Sequence, residues 1–92
     1  MNETSLQAYW SEKLSHRFEV REAQVMDNLN IDGPATRKEL ARRTGLSLSS
    51  ICGRVYSLIK EGFVEEYAKV PDPDTLKNVW AVRIKKGVLD VQ

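Results

Sequence analysis

The sequence predicts an α+β domain in which helices come first and a small antiparallel sheet follows. Three observations lead there. Apolar residues recur at helical spacing as far as Ile59, a strand-like period replaces it after Gly62, and glycine and proline fall at the junctions. At 92 residues, 41% hydrophobic and 29% charged, the chain suits one folded domain around one core.

Neither glycine nor proline occurs between Met1 and Asp32, so a long helical stretch is allowed. Thr4 and Gln7 have capping-box spacing, and Leu6, Tyr9, Trp10, Leu14, Phe18, Val25, Met26 and Leu29 follow mostly at helical intervals. The stretch is either one helix or two broken near Ser15, and Asn30 to Pro34 ends it. A second capping box, Thr36 with Glu39, opens a helix that turns Leu40 and Ala41 inward and runs to Thr44. Gly45 supplies a turn, Leu46 anchors it in the core, and Ser47 caps the next helix. In that helix Leu48, Ile51, Val55 and Leu58 form an apolar stripe widened by Ile59. Cys52 borders the stripe and reads as a small core residue. Gly62 lies just past the helix end, where a left-handed residue is easiest for glycine.

Phe63 to Val70 reads as a strand with Val64 and Tyr67 inward. Pro71-Asp72-Pro73-Asp74 starts a loop that reaches about Asn78. Val79 to Ile84 then alternates, with Trp80, Val82 and Ile84 on one side and Ala81 and Arg83 on the other. Trp80 and Tyr67 are read as core aromatics. A short strand at Pro34-Ala35 would complete a three-stranded sheet, and Lys85-Lys86-Gly87 closes the last strand. The chain divides into an N-terminal helical extension (1–17), a core (18–84) and a C-terminal tail (85–92).

Net charge is only +1, but its distribution is uneven. Residues 1–32 carry a net −3, residues 33–62 a net +4, and residues 63–92 balance. A local positive patch attracts a polyanion even when the total is near zero. The longest unbroken apolar run, Val79 to Val82, is far too short to span a bilayer, and the N-terminus has no secretory pattern. With a single cysteine, these features point to the cytoplasm. His16 has no nearby Cys or second His, so no metal site is expected. No phosphate-binding glycine loop or nucleophile elbow is present, which argues against an enzyme and against a cofactor. Asp72 and Asp74 are spaced like a fragment of a cation loop, but the other ligands are missing and a turn explains them better.

The segment from Thr36 to Gly62 has the makings of a helix-turn-helix: two short helices, a glycine bend, and a second helix with a polar outer side. Ser49, Ser50, Gly53, Arg54, Ser57 and Lys60 fall on or near that side. Small side chains permit close approach to base edges, and Arg54 suits guanine or a phosphate. The free N–H groups of the first turn after Ser47 favour a phosphate. Residues Thr36 to Ser47, with the sequence TRKELARRTGLS, resemble the opening of MarR-type winged helix-turn-helix regulators. Ile51 to Val64 (ICGRVYSLIKEGFV) resembles their recognition helix running into the first wing strand. The run from Ile51 to Leu58, followed by Trp80, is also similar to small phage-encoded winged-helix proteins. The resemblance spans residues 25–84 and implies groove contacts at Ser49, Ser50, Gly53 and Arg54 and a wing contact at Lys77. Gly53 departs from the pattern, since MarR-type proteins usually carry a longer side chain there. Z-form-binding winged helices share Tyr56 and Trp80, but Cys52 replaces their phosphate-binding Asn and their paired wing prolines are missing.

The expected function is therefore regulatory binding of double-stranded DNA. Arg37, Lys38, Arg42, Arg43 and Lys77 would meet phosphates, and the third helix would read the groove. Leu6, Trp10, Leu14 and Phe18 offer apolar surface for a homodimer. The rival reading is a winged helix used as a protein-interaction module, an inhibitor or adaptor, favoured by the modest net charge and by Glu65, Glu66, Asp72 and Asp74 around the wing.

Overall fold

The computed structural model describes residues 18–88. Three helices, α1 (Val20–Asp32), α2 (Arg37–Thr44) and α3 (Leu48–Lys60), are joined by three strands, β1 (Ala35–Thr36), β2 (Val64–Pro71) and β3 (Asn78–Ile84). The capping box at Thr4 and the choice between one and two helices near Ser15 lie outside the described residues. A helix does start at Val20, where the Glu19 carboxylate accepts the Glu22 amide and the Glu22 carboxylate accepts the Glu19 amide.

Local chemistry sets most junctions. Gly45 takes the left-handed conformation (φ 77°) that ends α2, and its N–H donates to the Ala41 carbonyl. Thr44 Oγ1 donates to the Leu40 carbonyl at 2.7 Å and accepts the Leu46 amide at 3.2 Å, so the turn is tied on both sides. Ser47 caps α3 by accepting the Ser50 amide at 3.1 Å. At α2 only half of the expected capping box forms. Thr36 Oγ1 accepts the Glu39 amide, but the Glu39 carboxylate pairs with Arg42 and Arg43 instead of the Thr36 amide.

The strands pair antiparallel in the order β1-β3-β2. The first strand is Ala35-Thr36 rather than Pro34-Ala35, because Pro34 has no N–H for the ladder. Pro71 closes the edge strand β2 opposite Asn78, a place where proline is tolerated. Between Glu66 and Ala68 the register slips, leaving Tyr67 as an extra residue in a β-bulge.

Phe18, Val25, Met26, Leu29, Ala35, Leu40, Ile51, Val55, Leu58, Val64 and Val82 form one core, with Leu46, Ile59 and Val88 packed on its edge. Phe18 and Phe63 meet edge to face at 4.9 Å.

Several expectations about facing are overturned. Tyr67 is 40% exposed because the bulge takes it out of the inward alternation. Trp80 is 41% exposed, since it sits two residues outward of Val82 along β3, towards the loop end of the hairpin. Ala81 is buried like its neighbour Val82, as the middle of the central strand with Thr36 on one flank and Ala68 on the other. Leu48, the first residue of α3, is 44% exposed, and Cys52 is exposed rather than a core residue, because the stripe that packs narrows to Ile51, Val55 and Leu58.

Candidate nucleic-acid interface

The helix α3 is amphipathic in the plain sense that Ile51, Val55 and Leu58 are fully buried while its other side is left open by the described residues. Ser49, Cys52, Tyr56 and Lys60 are exposed, and Ser50, Gly53, Arg54 and Ser57 flank them half-buried. A side chain built at Gly53 would meet nothing within 4 Å. Ser47, at the N-cap, is exposed at the start of this surface. Tyr56 and Cys52 thus belong to the exposed side of α3, a placement helical spacing alone did not give, because an apolar or aromatic residue next to a core stripe reads equally well as its edge.

Beside the first turns of α3 the loop end of the β2–β3 hairpin leaves a cleft of about 430 Å³. Leu48, Cys52, Val79 and Trp80 supply apolar walls, and Lys38 and Asp72 lie at its border. Two cations cover aromatic faces on the hairpin: the Lys69 ammonium lies 5.4 Å from the Trp80 ring centroid, and the Arg83 guanidinium 4.7 Å from that of Tyr67.

Most of the cations marked by the sequence already have partners. Arg37 pairs with Glu66 at 3.1 Å, Arg42 with Glu39 at 2.7 Å, and Arg54 with Glu19 at 3.5 Å. Arg43 is the most engaged: its guanidinium donates to Asn28 Oδ1, the Gly33 carbonyl, the Pro34 carbonyl and Glu39, tying the end of α1 to α2. Lys38 reaches Asp72 at 3.1 Å and Asp74 at 2.9 Å. Among the described residues, Lys60 and Lys77 make no ion pair, and Lys77 is exposed on the hairpin loop.

The loop is built around Asp72, the one buried polar side chain among the described residues (6% exposed). Its carboxylate accepts the Asp74 amide at 2.8 Å, its N–H donates to the Lys77 carbonyl at 2.8 Å, and its carbonyl accepts the Leu76 amide at 2.7 Å. The Asp74 amide and the Lys38 ammonium hold the Asp72 carboxyl below its ordinary value, against the opposing effect of burial. Hydrogen bonds from Lys38 to Asp74 and then Asp72 in turn raise the Lys38 ammonium above its own. Among the described residues no cluster of three metal-ligating side chains occurs, and no helix is long and apolar enough to cross a membrane.

Three helices with a tight glycine turn, an open third helix and a three-stranded sheet ending in a hairpin define a winged helix-turn-helix, the DNA-binding domain of transcriptional regulators. Residues 21–67 match the model of the IclR helix-turn-helix domain, and the chain belongs to that family. It is a regulator-type DNA-binding domain, not an enzyme. The MarR-type resemblance is present as likeness of fold. A probable transcriptional regulator from Pseudomonas aeruginosa superposes with a TM-score of 0.63 at 20% identity, covering 90% of this chain and 60% of that one. A mutant MarR from E. coli gives 0.63 at 19% identity, over 92% and 60%. A MarR family regulator from Neisseria meningitidis gives 0.63 at 14%, over 94% and 58%. The chain thus spans about 60% of the length of these structures. No curated protein sequence matches it.

Proposed function

We propose that this domain regulates transcription by laying the outer side of α3 in the major groove of duplex DNA while the hairpin meets the neighbouring backbone. One observation carries the reading: from Ser49 to Lys60 no described residue covers the outer side of α3, which has small residues at Ser49, Ser50, Gly53 and Ser57. Small side chains bring the helix close to base edges, where Tyr56 and Cys52 add apolar contact. Ser47, Lys60 and Lys77 face phosphates. Arg37, Arg42 and Arg54 join them by exchanging a carboxylate for a phosphate, which costs about 1 kcal/mol or less for pairs of this exposure.

Gly53→Glu tests this directly. The added side chain enters open space, so the fold is expected to persist by circular dichroism. Its carboxylate would face the groove, and duplex affinity at fixed salt is expected to fall at least about tenfold. Unchanged affinity would remove α3 from the interface.

A second reading, a protein-interaction module, is favoured by the pairing of hairpin acids with basic residues at Arg37–Glu66, Lys38–Asp72 and Arg83–Glu65, which leaves few cations free. A homodimer through the N-terminal segment is proposed from sequence: Leu6, Trp10 and Leu14 fall outside the described residues, whereas Phe18 is part of the core. Sedimentation of the full chain as a monomer, or a dimer that survives deletion of residues 1–14, would remove that proposal. A cytoplasmic location is proposed alongside, supported by the single cysteine and the DNA-binding reading.

A further inference from the structure

Lys38, in the first turn of α2, carries a charge suited to phosphate, yet its ammonium turns to the hairpin. It bonds Asp72 at 3.1 Å and Asp74 at 2.9 Å, residues 34 and 36 positions further along the chain. Asp72 is also the hub of the six-residue loop 72–77, through its carboxylate, its N–H and its carbonyl. The loop is held against local preference, because Leu76 adopts a left-handed backbone (φ 62°) while 83% exposed. A leucine stays there only where surrounding bonds over-determine the conformation. Next to it stands Lys77, exposed and without an ion pair among the described residues.

We propose that Lys38 is a positioning residue for DNA binding: it fixes the hairpin loop to α2 so that Lys77 is presented to the backbone beside the groove. The inference rests on the duplex-binding reading above. The two roles open to Lys38 have opposite electrostatic signatures. As a phosphate contact, Lys38 would gain from removal of Asp72 or Asp74, since each competes for its charge and repels DNA. As a positioning residue, it needs both carboxylates, so removing a negative charge weakens binding to a polyanion.

The experiment measures affinity and salt slope for a random-sequence duplex with wild type, Asp74→Asn, Asp72→Asn, Lys38→Met and Lys38→Arg, each with and without Lys77→Ala. Amide hydrogen exchange of the free proteins is measured alongside. Asp72→Asn keeps an oxygen for the Asp74 amide and loses only the ion pair. Expected are about threefold to tenfold weaker binding for Asp74→Asn, Asp72→Asn and Lys38→Met, with recovery in Lys38→Arg. Lys77→Ala should flatten the salt slope by about 0.9 in wild type and far less in Lys38→Met. The Asp74 and Leu76 amides should exchange at least about tenfold faster in Lys38→Met, while those of Val55 and Leu58 keep their protection. Tighter binding by the Asn variants, or an undiminished Lys77 effect in Lys38→Met, would overturn the proposal. So would unchanged loop exchange, even if the protein binds DNA as described. Absence of duplex binding by wild type at low salt would instead overturn the DNA reading itself and the positioning role with it. Loop exchange would then still report whether Lys38 holds the hairpin.

Discussion

Arg43 and Arg42 are adjacent, equally charged and differently employed. Arg43 is 22% exposed and donates to four acceptors that join α1, the β1 approach and α2, whereas Arg42 is 62% exposed with one carboxylate partner. Arg43→Ala is therefore expected to lower stability by about 1–3 kcal/mol in a urea titration, because it strands the Asn28 and Gly33 acceptors. Arg42→Ala should change stability by no more than about 0.5 kcal/mol and act on DNA affinity instead. Two backbone positions make predictions of the opposite sign. Gly53 lies inside α3 with open space around it, so Gly53→Ala should raise stability by about 0.5–1 kcal/mol. Leu76→Asn should raise it by up to about 1 kcal/mol, since asparagine tolerates the left-handed backbone that leucine resists. Denaturant midpoints that move the other way would mean that these sites make contacts the geometry does not contain.

At the scale of elements, Asp72 and Lys38 tie the stability of the hairpin loop to pH. The folded Asp72 carboxyl titrates below the ordinary value of 3.8, so its contribution is complete above that value and is lost as pH falls through the folded one. The folded Lys38 ammonium titrates above 10.5, so its contribution is complete below that value and is lost as pH rises through the folded one. Loop protection is expected to be flat between these limits and to fall in acid, and Asp72→Asn should weaken the acid response. Sequence carried the helices and turns well because their determinants are local: the Thr36 and Ser47 caps and the Gly45 and Gly62 bends each act within a few residues. It misplaced Tyr67 because facing in β2 depends on a bulge set by pairing with β3, and Trp80 because alternation gives a side of β3 but not how far along the strand the core reaches. Cys52 and Leu48 were misplaced for a related reason. A wheel gives direction, but how wide a stripe packs depends on how far α1, α2 and the sheet reach over it. The partners of Lys38 and Arg37 were invisible for the same cause, since pairs 34 and 29 positions apart exist only once the sheet has docked.

At the scale of the whole molecule, charge is arranged so that several basic residues pair with acids of the fold, and the described residues leave one helix side open with a few free or exchangeable cations. That arrangement explains how a net charge of +1 is compatible with a polyanionic partner. It also sets a magnitude. Lys60, Lys77 and exchangeable Arg37, Arg42 and Arg54 amount to a handful of phosphate contacts, and each contributes about 0.9 to the salt slope. The most direct test is the affinity of the full chain for linear duplex DNA as salt is varied. A logarithmic slope of about −3 to −5 is expected, with binding clear at low salt. No detectable binding at low salt, or an affinity indifferent to salt, would contradict the account.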